Sequence, residues 1–237
     1  DVLSITEPSP KIAVTATKII ASETRSNRVL IWNHPSSSGS AASVVVGQGA
    51  FNTRGSAAGA AGLNWPSGVW SDGTRLLVAD TLNNRVLIWN TLPASNGASA
   101  NLVLGQADFA TTTAPAPTAS SMNNPRDVYF DGTRLFVADS GNHRVMVWNG
   151  MPTSSNAPAN YVIGQASLTA GSANRGGTVS ELSLNFPSAL LVNNGSLFVS
   201  DSRNGRVMVY TPVPGGPNAA AQAVLGQPDF MTNAVPA

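Results

Sequence analysis

A seven-residue segment occurs four times in this chain at a nearly constant interval, and this repeat restricts the possible folds more than any other feature. The copies read NRVLIWN, NRVLIWN, HRVMVWN and GRVMVYT, and they lie at 27–33, 84–90, 143–149 and 205–211. A proline precedes each copy and a Gly-Gln pair follows it, at Pro10, Pro66, Pro125 and Pro187 and at Gln48, Gln106, Gln165 and Gln227. Because these markers keep the same period, the chain contains four copies of one structural unit of about 59 residues.

The third repeat shows its strand pattern most clearly. Asp131-Gly132 is a strong signal for a two-residue hairpin, and no segment of the repeat shows a helical period. A second turn is expected at 139–142, and a loop rich in Pro, Ser and Asn follows at 149–159. These signals predict a four-stranded antiparallel meander with strands at Asp127–Phe130, Leu135–Ala138, Arg144–Trp148 and Tyr161–Ile163.

The third strand of each repeat is apolar on both faces, as in Val86-Leu87-Ile88-Trp89. Such a strand must be covered on both sides, and stacking one small sheet on the next provides that cover. Repetition of four-stranded sheets around an axis is the β-propeller architecture, which has 4–8 blades. We therefore predict an all-β fold, a β-propeller built from four-stranded antiparallel blades.

The motif that begins at Asp139 and ends at Trp148, preceded by Pro125 and a strand at Leu135–Ala138, resembles an NHL repeat. The second and fourth repeats match nearly as well, whereas the first has Glu23 in place of the Asp and lacks the Asp-Gly turn. The repeats are longer than typical NHL repeats, and their Val-Leu-Gly-Gln-x-Asp-Phe ending is similar to that of long-repeat bacterial secreted proteins. The resemblance implies a propeller fold and an extracellular or periplasmic location.

We expect one propeller domain over residues 1–237, with repeats at about 10–51, 66–109, 125–168 and 187–230. Residues 1–9 contain a further strand signal, which we interpret as the outer strand of a preceding blade. NHL-type propellers usually have six blades, so we favour a section of a longer propeller or array. A closed four-blade ring remains the alternative.

Two groups of residues are candidates for a role in each repeat. An acidic residue and an arginine five positions later form the first group, and an aromatic residue at the end of the third strand forms the second. A residue required once per repeat usually serves the fold, so we interpret both groups as structural: Glu23, Arg28, Trp32, Asp80, Arg85, Trp89, Asp139, Arg144, Trp148, Asp201, Arg206 and Tyr210. Trp65 and Trp70 occur only in the second repeat, and they are therefore the candidate ligand contacts.

Composition excludes several classes of function. Lys and Arg number 13 against 12 Asp and Glu, so the basic excess of a nucleic-acid-binding protein is missing. The chain has no cysteine, which removes thiolate zinc sites and cysteine nucleophiles. Its two histidines, His34 and His143, occupy non-equivalent repeat positions. We therefore predict no catalytic residues, no metal site and no cofactor, and the lack of a long apolar run predicts no membrane span.

These observations favour a non-catalytic extracellular interaction or structural module that acts through protein–protein contacts, with a protein partner or self-assembly. The small-molecule ligand, if one exists, is not identified by the sequence. Two alternatives stay open: a propeller lyase or hydrolase with a metal in the central channel, and a carbohydrate- or peptide-binding sensor domain. Exposed Trp65 or Trp70 rings would favour the sensor.

Overall fold

A computed structural model of the chain describes residues 11–34 and 37–233, which form four four-stranded antiparallel sheets in sequence order. Blade 1 comprises β1 (Ile12–Val14), β2 (Lys18–Glu23), β3 (Arg28–Asn33) and β4 (Val44–Val46). Blade 2 comprises β5 (Pro66–Ser71), β6 (Leu76–Asp80), β7 (Arg85–Trp89) and β8 (Leu102–Leu104). Blade 3 comprises β9 (Pro125–Phe130), β10 (Leu135–Asp139), β11 (Arg144–Trp148) and β12 (Tyr161–Ile163). Blade 4 comprises β13 (Pro187–Asn193), β14 (Ser196–Asp201), β15 (Arg206–Tyr210) and β16 (Ala223–Leu225).

Each blade is a simple meander, as the turn chemistry predicts. In blade 3, Asp131 Oδ1 accepts hydrogen bonds from the amides of Thr133 at 2.8 Å and Arg134 at 2.6 Å, and Gly132 has a φ of +93°. The next turn is a short 3-10 helix that ends in a left-handed residue, which is Asn27, Asn84, His143 or Gly205 in the four blades. Asn and Gly tolerate this conformation best, so the sequence specifies the turn locally.

The described chain falls into two compact units. The first contains blades 1 and 2 together with Ser154–Asn156, and the second contains blades 3 and 4. In the first unit β5 packs against β1 and β2, and apolar residues of both blades form one core that includes Ile20, Val29, Leu76, Val78 and Trp89. In the second unit β13 packs against β9 and β10, and the shared core includes Phe136, Val145, Leu197, Val199 and Tyr210.

Loop residues protect the outer strands of the first unit. The Val45 amide donates to Asn96 Oδ1 and the Val45 carbonyl accepts from the Gly97 amide, both at 3.0 Å. Val103 is held in the same way, because its amide donates to Ser155 Oγ and its carbonyl accepts from the Asn156 amide. An unpaired edge strand invites association with other chains, and these loop contacts satisfy its backbone groups.

The all-β fold of four-stranded antiparallel blades is thus confirmed. The first strand of blade 3 begins two residues earlier than the sequence predicts, and its second ends one residue later. Residues 1–9, with the strand assigned there, lie outside the described residues, as does Pro10. The helices found in the described residues are short 3-10 turns, and none could cross a membrane. The single-domain assignment, and the choice between a closed ring and a section of a longer propeller, stay predictions.

Candidate interaction surface

Every blade contains a buried ion pair between its repeated acid and its repeated arginine. The distance from arginine Nε to the Asp Oδ2 is 2.7 Å in blades 2, 3 and 4, and Arg28 pairs with Glu23 in blade 1. In blades 2, 3 and 4 the other carboxylate oxygen accepts a backbone amide from the segment that leads into the blade, as Asp139 does from Asn123 at 2.7 Å. Burial raises the pKa of the Asp139 carboxyl, and the Arg144 guanidinium and the Asn123 amide oppose that rise.

In blades 2, 3 and 4 the arginine of the pair also binds three loop carbonyls, one at the end of its repeat and two in the linker that precedes the repeat. Arg144 donates to the carbonyl of Leu168 through Nη1 and to those of Thr118 and Ser121 through Nη2. Arg85 and Arg206 make the equivalent three contacts in blades 2 and 4. Because these guanidinium groups are buried and donate to loop carbonyls, they link the loops to the blade.

The repeated aromatic residues lie in the core and bind the loop that follows them. The indole Nε1 groups of Trp32, Trp89 and Trp148 donate to the carbonyls of Ser40, Ala98 and Ala157 at 3.0–3.1 Å. Tyr210 takes this position in blade 4, and its buried hydroxyl finds no partner among the described residues. Burial accordingly raises the pKa of that hydroxyl.

The structure does not bring Trp65 and Trp70 together into one site. Trp65 immediately precedes β5 and Trp70 lies near the other end of that strand, a separation of about 16 Å at the usual rise per residue. Trp65 is 38% exposed, and its amide donates to Asn27 Oδ1 at 2.8 Å. Trp70 is only partly exposed. One of the two candidate rings is therefore available at the surface, and the other does not join it in a stacking platform.

His143 is used inside its unit rather than as a metal ligand. Its Nδ1 accepts a hydrogen bond of 3.0 Å from the amide of Phe186. In the first unit Asn27 Oδ1 accepts the amide of Trp65 in the same way. Arg126 and Arg203 lie over the Phe186 ring at 5.0 and 4.3 Å. Among the described residues there is no group of three or more His, Cys, Asp or Glu side chains that could hold a metal ion.

One face of blade 4 differs from its equivalents in the other blades because it is exposed. The strand register places Leu191, Phe198, Val207, Val209 and Leu225 on this face, which we name the blade 4 outer face. The other face carries Leu190, Leu197, Val199, Met208 and Tyr210, which are buried in the core of the second unit.

Residues of the blade 4 outer face are strongly exposed at a position whose equivalents in other blades are buried. Leu225 is 54% exposed, whereas Leu104 and Ile163 occupy the same register position in blades 2 and 3 and are fully buried. Leu191 is 49% exposed. Five apolar side chains on a single sheet face form the kind of patch that marks an interaction site. The sequence did not reveal this site, because the residues on it follow the repeat pattern.

Solved structures similar to this chain are propellers. A periplasmic gluconolactonase of Pseudomonas aeruginosa matches 98% of the chain with a TM-score of 0.59 and 15% identity, and the match covers 59% of that protein. A chain of a nidogen–laminin complex matches 95% with a TM-score of 0.56 and 15% identity, over 66% of its length. The WD40 domain of Toxoplasma gondii coronin matches 89% with a TM-score of 0.52 and 10% identity, over 44% of its length.

The chain therefore belongs to the β-propeller class of proteins. It spans less than two thirds of the length of each of these three structures. At identities of 10–15% the likeness shows the fold alone. No family model and no curated protein matches the sequence.

Proposed function

We propose that this chain is an NHL-type propeller module, extracellular or periplasmic, that acts without catalysis through protein–protein contacts. The observation that carries this proposal is the exposed apolar blade 4 outer face. Burying it against a partner would remove apolar surface from water at roughly 25 cal/mol per Å².

Contacts inside the two units indicate what kind of partner fits this face. The equivalent faces of blades 1 and 3 pack against the apolar inner faces of blades 2 and 4. In the second unit Ser140 Oγ of blade 3 also donates to the Pro187 carbonyl of blade 4. Ser202 occupies the same turn position in blade 4, where Ser188 and Ser200 surround its hydroxyl. A partner protein that presents an apolar sheet face with a carbonyl at its end would satisfy this surface.

One polar contact of the repeat is missing on the blade 4 outer face. Asn27 and His143 each accept an amide from the following blade, whereas the equivalent residue of blade 4 is Gly205, which has no side chain. The partner must therefore satisfy its own amide at this point.

A photo-crosslinking experiment tests the proposal. A photoreactive phenylalanine is placed at Leu225, or in a second variant at Leu191, in the protein produced by its source organism, and covalent adducts are identified by mass spectrometry. Leu82 is 46% exposed in the 3-10 turn of blade 2, so it serves as the control position. We expect a protein adduct, with another protein or a second copy, from position 225 and none from position 82. The absence of any adduct from positions 225 and 191 would contradict the proposal.

A further inference from the structure

The two pairs of packed blades differ at one equivalent place. In the second unit, two large side chains of blade 3 bind the loop that follows β15 of blade 4. Arg134 Nη1 donates to the carbonyls of Val213 at 3.2 Å and Pro214 at 2.9 Å, and the Tyr161 hydroxyl donates to the Pro214 carbonyl at 2.6 Å. These side chains fill the space between the hairpin of blade 3 and the loop of blade 4.

The first unit has smaller side chains at these positions. Val44 pairs with Ile31 as Tyr161 pairs with Val147, and Lys18 pairs with Asn33 at the hairpin position of Arg134. The loop is anchored in the same way in both units, because Leu92 donates its amide to the Thr74 carbonyl as Val213 does to that of Gly195. Leu92 and Pro93 therefore stand where Val213 and Pro214 stand in the second unit.

The first unit has a cleft of about 540 Å³ at the place that the Arg134 and Tyr161 side chains fill in the second unit. Its lining includes Lys18, Asn33, Val44, Thr74, Leu92 and Pro93. Among the described residues, the carbonyl oxygens of Leu92 and Pro93 accept no hydrogen bond. The equivalent carbonyls of the second unit have three donors between them. The cleft thus presents two free acceptors beside apolar side chains.

The cleft also contains a cation that lacks a counter-ion. Lys18 Nζ donates to Asn33 Oδ1 and forms no ion pair within the described residues. Asp72, in the neighbouring hairpin, is already engaged: its Oδ1 accepts the amides of Thr74 and Arg75, and its Oδ2 lies 3.7 Å from Arg75 Nε. An anion could therefore bind Lys18 without displacing an existing partner.

We propose that this cleft binds a small carboxylate whose adjacent carbon carries a hydrogen-bond donor, an α-amino or α-hydroxy acid. The carboxylate binds Lys18, and the ammonium or hydroxyl group donates to the carbonyls of Leu92 and Pro93. An apolar side chain of the ligand packs against Val44 and the Leu92 side chain. This site is independent of the blade 4 outer face, which lies in the other unit.

Four compounds with one carbon skeleton test the ligand chemistry: L-leucine, L-2-hydroxy-4-methylpentanoate, 4-methylpentanoate and L-leucinamide. Each is titrated into the isotope-labelled protein, and the amide resonances of Gly73, Thr74 and Leu92 are followed by NMR. We expect saturable shifts with one or both of the first two compounds, and the stronger of them identifies the amino or the hydroxy acid. Weaker binding of the last two shows that both the donor and the carboxylate are needed.

Variants test the location of the site. Lys18→Gln should weaken binding at least about tenfold, since it removes a charge-assisted hydrogen bond. Lys11→Gln, which removes the other lysine of the chain outside the cleft, should leave binding unchanged. The double variant Lys18→Arg with Val44→Tyr copies the side chains of the second unit and should abolish binding. Should that variant fail to fold, Lys18→Gln alone decides.

The proposal is overturned by any of three results. These are no saturable shift with L-leucine or its hydroxy analogue, equal binding of 4-methylpentanoate or L-leucinamide, and unchanged affinity in folded Lys18→Gln. None of these results bears on the crosslinking experiment at Leu225, so the two proposals fail separately.

Discussion

The guanidinium of Arg144 joins three loop carbonyls and one carboxylate, and its side chain is completely buried. Removal of one partner from a buried pair leaves an uncompensated charge in a medium of low dielectric constant. The exposed pair between Asp72 and Arg75 has the same chemistry, but each side chain is about a third exposed. The contribution of such an ion pair to the free energy of unfolding is therefore determined by its burial rather than by residue type.

Arg144→Ala should lower the free energy of unfolding by about 3–5 kcal/mol, because Asp139 and the loop carbonyls lose their donor. Arg75→Ala is the matched control and should cost about 1 kcal/mol or less, because surface ion pairs contribute little. Urea denaturation of both variants measures the difference. Equal costs for the two substitutions would show that the buried pair does not hold the loops.

The free energy of unfolding should depend on pH because of His143. Burial lowers the pKa of its imidazole, the Arg203 charge lowers it further, and Asn185 and Asp201 oppose these effects. The folded protein then binds fewer protons than the unfolded chain in the window below about pH 6.5. The stabilisation is complete above that pH and is lost as the pH falls toward the folded-state pKa.

His143→Asn should reduce this loss of stability between pH 7 and pH 5. Asparagine does not titrate there, and Asn27 shows that its Oδ1 can accept the amide of the next blade. The free energy of unfolding of both proteins, measured by urea denaturation across the pH range, gives the comparison. A pH dependence that is identical in the two proteins would contradict the assignment to His143.

At the scale of the element, the glycine of each Gly-Gln marker ends the outermost strand in a left-handed conformation. Gly47, Gly105, Gly164 and Gly226 all have φ between +87° and +90°. At Gly47 and Gly164 the backbone also lies close to a leucine of the next linker, and a Cβ on Gly164 would lie 2.5 Å from Leu184 Cδ1. Conformation and close approach together explain why the repeat carries glycine at this point.

Gly164→Ala should therefore destabilise the protein more than Gly132→Ala. The φ of Gly132 is +93°, close to the +87° of Gly164, but a Cβ there would meet no atom within 4 Å. Backbone strain is thus similar in the two variants, and overpacking against Leu184 adds about 1–3 kcal/mol for Gly164. Thermal or urea unfolding measures both, and equal stability of the two variants would show that Leu184 moves aside without cost.

At the scale of the whole molecule, one register position has two different environments. Leu104 of blade 2 is fully buried, and Leu225 of blade 4 is 54% exposed. The strands that pair with them both carry a valine at the partner position, Val86 and Val207. The contribution of this leucine to the free energy of unfolding therefore depends on what covers the sheet.

Leu104→Ala should lower the free energy of unfolding by about 2–5 kcal/mol through loss of burial and creation of a cavity. Leu225→Ala should change it by less than about 1 kcal/mol in the purified chain. Urea denaturation at low protein concentration measures both values. A large cost at Leu225 would mean that the blade 4 outer face is already covered in solution, for example by self-association, and repetition at several concentrations would reveal it.

The sequence determined the blade and its repetition. Hairpin signals such as Asp131-Gly132, the two-sided apolar strands and the regular spacing are local features, and they predicted four-stranded sheets with strand ends correct to within two residues in blade 3. These features act between residues that are close in the chain, so a single repeat contains all the information needed to read them.

Only the tertiary structure decided which repeated residues face solvent. Val145 and Val207 are the same residue at the same repeat position, yet the first is buried and the second is partly exposed. Lys18 and Arg134 share a hairpin position, but the space around each depends on side chains 26 and 27 residues further along, Val44 and Tyr161. The burial of a residue and the volume of a cavity depend on neighbours that are distant in the sequence and come together only on folding. Local sequence patterns do not identify those neighbours.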